Sequence, residues 1–151
     1  MLEFSHSLAG AFIAYQVPNP AVSLPACLLS HFILDLIPHW NPSLSDDKKR
    51  FGRVSSKTFL IILVDSFVGL VLGLTLAYRK LPYLDQSLVV IMGSFLAVLP
   101  DLLEMPYFFF CIDNPLIKKL RKFQSSHQFK VSFWPGIISQ IFLTILLLSL
   151  I

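Results

Sequence analysis

His31 and Asp35 stand four residues apart in the segment LSHFILDLIPH (29–39), and His39 repeats the interval. Residues at i and i+4 share one helical face, so the three side chains form an H-x-x-x-D-x-x-x-H stripe if the helix persists or turns tightly at Pro38. Imidazole nitrogens and carboxylate oxygens suit Zn²⁺, Mn²⁺ or Fe²⁺, and helix-borne pairs one turn apart are a recurrent way to hold such ions in helical bundles. Asp101 and Glu104, at i and i+3 in LPDLLEMP, can approach from another helix, and His6 adds an imidazole near the start of the chain.

The candidate metal ligands are therefore His6, His31, Asp35, His39 and Asp101. Glu104 is the candidate general base for a metal-activated water, with a helix-packing carboxylate as the alternative. Asp65 and His127 are candidates for orienting a ligand imidazole through its free ring N–H, Asp65 having a ligand role of its own and His127 simple solvation as the alternative. The ion expected is divalent, with zinc first and manganese or iron as alternatives. The same residues also admit a structural reading, a hydrogen-bonded His/Asp network that fixes helix packing.

These groups lie in a chain that is poorly matched to water. Of its 151 residues, 55% are hydrophobic and 14% charged, against about 25% charged in an ordinary soluble domain. The mean hydropathy is +0.71. A charged side chain at the centre of a bilayer costs about 2.5–3.5 kcal/mol on insertion scales, so the acids and imidazoles are expected to face inward and find partners. The net charge of +3 does not imply nucleic acid, because the Lys and Arg residues are confined to segments between apolar runs. One cluster is Lys48, Lys49, Arg50, Arg53 and Lys57. A second is Lys118, Lys119, Arg121, Lys122 and Lys130, and Arg79 with Lys80 make a weak third.

The elements that would position the site follow from the apolar runs. Residues 58–78 and 87–111 are each long enough for the ~30 Å hydrocarbon core, with kinks expected at Pro100 and Pro106. Residues 133–151 form another run with Trp134 as an interfacial anchor. Leu2–Val17 and Ala21–Ile37 read as two helices joined at Pro18-Asn19-Pro20, either spanning as a hairpin or partly re-entrant. Asn114–Phe129 mixes apolar and basic residues, as in a short helix lying on an anionic leaflet. The fold class expected is thus all-α, a polytopic membrane bundle of about five hydrophobic helices plus a short amphipathic interfacial helix, in a single domain over 1–151.

The basic clusters place 46–57 and 112–130 on the cytoplasmic side, and with them the N-terminus and the site. The C-terminus then lies outside, and the protein is expected to be a multi-pass protein of the cell membrane. On this topology the His, Asp and Glu residues fall at one level, although orientation was assigned from Lys and Arg alone. The chain start lacks the pattern of a removable signal peptide. Cys27 and Cys111 lie in apolar runs without C-x-x-C spacing and are expected to be core residues. Gly69 and Gly73 give a G-x-x-x-G pattern for close helix approach.

Three segments, SHSLAGAFIA (5–14), LSHFILDLIPH (29–39) and VLPDLLEMP (98–106), give the chain a resemblance to the bacterial membrane-bound metal-dependent hydrolases. The resemblance implies His6, His31, Asp35 and Asp101 as metal ligands. The activity expected is metal-dependent hydrolysis, with a phosphoester of a lipid or lipid-linked substrate fitting a site at headgroup depth flanked by cations. Membrane lipids and such a substrate, or a small molecule, are the partners expected. The alternative is a non-catalytic membrane protein with a structural network or a metal site without turnover.

Overall fold

The computed structural model describes all residues from Met1 to Ile151. The chain is all-α, with seven helices: α1 (Glu3–Gln16), α2 (Pro20–Leu34), α3 (Leu44–Phe51), α4 (Ser56–Tyr78), α5 (Leu84–Phe109), α6 (Pro115–His127) and α7 (Phe133–Ser149). There are no strands, only an isolated bridge between His39 and Lys130. Several starts are written locally. Asn19, Ser43, Ser55 and Asn114 each accept a backbone N–H of the first turn that follows, at α2, α3, α4 and α6, which satisfies a donor the helix cannot satisfy itself.

Two helices, α4 with 23 residues and α5 with 26, are long and apolar enough to cross a membrane. The expectation of about five spanning helices is corrected to two. At 1.5 Å per residue, α1, α2 and α7, with 14, 15 and 17 residues, reach only about 21–26 Å, short of a ~30 Å core. Only 22% of the residues in the apolar stretches of α4 and α5 are buried within the protein. Phe67, Leu70, Leu74 and Phe95 on these helices are exposed, more apolar surface than a water-soluble monomer presents.

Helix α1 runs between α4, α5 and α2. Small residues make that position accessible: a Cβ on Gly10 would sit 2.3 Å from the carbonyl oxygen of Gly93, so only glycine permits this crossing of α1 and α5. Gly69 permits a similar approach of α4 to α1, facing Cα of Phe4. The core around the crossing consists of Leu8, Ala11, Ala14, Cys27, Leu76, Ala77 and Val90. Cys27 is buried as expected, but Cys111 is exposed, because α5 ends at Phe109 and Cys111 lies beyond it with φ of 55°.

The two strong basic clusters meet at one end of the bundle. Tyr107 of α5 lies between them, with Lys48 Nζ 3.8 Å from its ring centroid and the Arg121 guanidinium carbon 3.7 Å away. Arg121 also donates to Ser45 Oγ at 3.3 Å. At the opposite end, Lys80 packs on the ring of Tyr15 and Gln16 donates to the carbonyl of Leu150. The basic segment 46–57 contains most of α3, a helix absent from the sequence expectation, and the expected amphipathic helix is α6.

Candidate metal centre

Three elements bring imidazoles to one point at the basic end of the bundle. His6 lies one turn into α1, His31 sits in the last turn of α2, and His39 follows α2 in an extended segment. All three are completely buried. The expected continuous helical stripe through His39 does not form, because α2 ends at Leu34 with Asp35 as its C-cap. His39 is placed instead by backbone pairing: its N–H donates to Phe129 O at 3.1 Å, and Val131 N–H donates to His39 O at 2.9 Å. Gly136 of α7 lets that segment approach, since a Cβ there would meet Trp40 N at 2.3 Å.

The hydrogen bonds fix which ring nitrogens are free. His31 Nδ1–H donates to Ala97 O at 2.8 Å and His39 Nδ1–H donates to Ile37 O at 2.8 Å. A carbonyl can only accept, so in the neutral form of each ring Nε2 carries the lone pair. Pro100 contributes to this arrangement: it removes the N–H that would bond Leu96 O, loosening the turn whose next carbonyl receives His31. Nε2 of His31, Nε2 of His39 and both nitrogens of His6 are buried without a hydrogen-bond partner. The His6 and His31 rings stack with centroids 4.1 Å apart. Burial lowers the pKa of His39 to about 4, which keeps its imidazole neutral.

These nitrogens converge on two carboxylates. His6 Nε2 is 3.4 Å from Asp35 Oδ1, and His39 Nε2 is 3.7 Å from the same oxygen. His31 Nε2 lies 3.7 Å from both Asp35 Oδ2 and Asp101 Oδ1. Ligands held at ~2.0–2.1 Å from a tetrahedral ion are themselves roughly 3.4 Å apart, so these separations are of the size that neighbouring ligands of one ion would have. One ligand atom each from His6, His31 and Asp101 falls within 4.8 Å of the others. Asp35 is further bound by the amino group of Met1 at 2.5 Å and by Gln128 Nε2 at 3.2 Å.

A cavity of about 620 Å³ opens beside the cluster. Glu3, Asp65, Asp101 and Glu104 line one part of it, and Lys49, Lys118, Arg121, Lys122 and Lys130 another. Asp101 lines this space while its Oδ1 faces His31, so it joins the buried imidazoles to the cavity. Glu104 lies 3.8 Å from Arg121 Nε through Oε2, while its Oε1 is buried without a partner.

The remaining sequence-identified residues have different surroundings. Asp65 contacts no imidazole; it accepts the backbone N–H groups of Glu3 and Phe4 at 2.7 and 3.0 Å. It therefore caps α1, whose first-turn donors have no partner of their own, and fixes the helix that carries His6. His127 is exposed, and its ring bonds Ser126 Oγ and Phe123 O within α6, apart from the cluster. Three contributors escaped the sequence reading. Glu3 brings a buried unpartnered Oε2 to the cavity, Gln128 binds Asp35, and Gln140 accepts Leu2 N–H at 2.8 Å while donating to Trp40 O. Gln140 was detectable, as a polar residue inside an apolar run.

No family model matches the chain, and no match was found among curated proteins or solved structures.

Proposed function

We propose that the protein is a multi-pass membrane hydrolase that uses a divalent ion, zinc in the first instance, to cleave a phosphoester at the lipid–water boundary. One observation carries the reading. Three fully buried imidazoles direct unpartnered nitrogens at Asp35 and Asp101 across 3.4–3.7 Å. Leaving such atoms unpaired costs about 1–3 kcal/mol each, and a bound ion removes that cost. A divalent ion held there would supply Lewis-acid polarisation of a phosphoryl oxygen.

The protein side chains divide the remaining work. His6, His31, His39, Asp35 and Asp101 would hold the ion, and the carbonyls of Ala97 and Ile37 orient two of the rings. Lys49, Arg121, Lys122 and Lys130 supply positive charge for an anionic phosphoester in the cavity. Water oxygen adds to phosphorus as the ester P–O bond breaks. Glu104 would take the proton from the attacking water and return it to the departing ester oxygen, which leaves as the alcohol. The motifs shared with the membrane-bound metal-dependent hydrolases support this assignment, and the basic clusters support a cytoplasmic site in a cell membrane, by the positive-inside rule.

Metal analysis of the purified, detergent-solubilised protein tests the proposal, together with release of phosphate from lipid phosphoesters. About one equivalent of zinc, manganese or iron, lost in His31→Ala, is expected. Absence of metal from the wild-type protein after supplementation would eliminate it. The hydrogen bond from Gln128 to Asp35 favours the second reading, a structural network without turnover, for which metal-free protein should be as stable as metal-supplemented protein.

A further inference from the structure

A second cavity, of about 260 Å³, runs as a furrow between α4 and α5. Its walls are Leu70, Leu74, Ile91, Phe95, Val98 and Leu102, and Gly69 and Gly73 leave space where α4 would otherwise carry side chains. Two of the hydroxyls beneath are already engaged: Ser7 Oγ donates to Gly69 O at 2.7 Å and pairs with Ser94 Oγ at 2.7 Å. A furrow whose hydroxyls bond one another offers water little, so it is a site for hydrocarbon.

Glu3 lines both this furrow and the cationic cavity, so the two spaces meet at one residue. From there the furrow follows α4 from Ser66 to Leu74, about 12 Å at 1.5 Å per residue. It runs along the two helices long enough to cross a membrane and away from the basic end. A lipid has the same layout, with a charged head at the surface and a chain descending parallel to the spans.

We infer that the furrow is a tail subsite, holding one hydrocarbon chain of an anionic lipid whose head occupies the cavity lined by Lys49, Arg121, Lys122 and Lys130. The inference deepens the hydrolase reading, on which its assignment of the lipid as substrate rests. The basic side of the cavity, across from Asp65, Asp101 and Glu104, supplies the countercharge for the head, and Glu3, common to both linings, places the chain. Leu70, Leu74 and Val98 are then specificity residues for chain length and branching.

The full-length protein in phosphatidylcholine vesicles, doped with phosphatidic acid carrying a diazirine in its acyl chain, tests this directly. Photolabelling mapped by peptide mass spectrometry should favour Leu70, Leu74, Ile91 and Val98 several-fold over Phe67 and Val71, which lie outside the furrow on the same helix α4. A zwitterionic phosphatidylcholine probe should show no such preference. Val98→Trp, with Leu74→Trp as a second variant, should abolish the preferential labelling while bound metal is retained. Equal labelling of furrow and outward positions, equal labelling by the two probes, or survival of the preference in both folded variants would overturn the subsite. Preferential labelling of a metal-free protein would support the subsite and remove the hydrolase reading. Bound metal without preferential labelling would overturn the subsite alone.

Discussion

The carboxylate of Asp65, on α4, accepts the backbone N–H of Glu3, at the start of α1, across 2.7 Å. The same carboxylate takes Phe4 N–H, so a single side chain closes the donor end of the helix that presents His6. No residue preceding α1 provides a side-chain cap.

Replacing Asp65 by Ala leaves two first-turn donors unsatisfied in a partly buried setting. The expected loss is about 1–3 kcal/mol, read as a lower unfolding temperature in detergent. Because His6 follows by one turn, metal affinity should fall roughly 10–100-fold, as for other residues that orient ligands. Unchanged affinity in a folded variant would separate the cap from the site.

His127 and His31 make a contrasting pair. His31→Ala and Asp101→Asn should each strip most bound metal, whereas His127→Ala should retain it, because the His127 ring is exposed and bonded within its own helix. Metal loss on changing His127 would place α6 in the ligand set, contrary to the geometry.

Gly136 should be intolerant of any side chain. A Cβ there would lie 2.3 Å from Trp40 N and 2.7 Å from the carbonyl carbon of His39, so Gly136→Ala must push the His39 segment aside. Helix content by circular dichroism should change little, while metal affinity falls. Wild-type affinity in this variant would show that His39 is dispensable for binding.

His39 also gives the metal-free protein a pH dependence with a defined sign. Burial lowers its pKa from 6.5 to about 4, so between these values the unfolded chain binds a proton that the folded chain refuses. Stability therefore rises with pH through that window and falls on acidification from pH 6.5 towards 4. Thermal unfolding of chelator-treated protein should show a shallower pH slope in His39→Gln than in wild type; identical slopes would contradict the assignment.

Tyr107 joins α3 and α6 to the bundle by receiving both Lys48 and Arg121 on its ring. Each such contact is worth about 0.5–2 kcal/mol. Tyr107→Leu should accelerate hydrogen exchange in both α3 and α6 while leaving α4 and the far half of α5 protected. Exchange raised in only one of the two helices would show that they dock independently.

The sequence by itself determined the helical class, the long apolar runs of α4 and α5, the turn at Pro18–Pro20 and the amphipathic character of α6, because each depends on local periodicity, chain length or capping residues. It also selected His6, His31, Asp35, His39 and Asp101 as a group, since ionisable residues in an apolar chain are conspicuous. Tertiary structure decided what local pattern cannot encode. His39 reaches the cluster by pairing with Phe129 and Val131, residues some ninety positions away, and not by continuing a helical stripe. Asp65 caps a helix 62 positions distant in the chain. Glu3 and Gln128 enter the site through contacts that form only after α1, α2 and the segment after α6 have packed together. The number of helices able to span was misjudged for a related reason: where Val17, Asp35 and Leu150 end their helices is set by caps and by packing against neighbours, and hydropathy alone records neither.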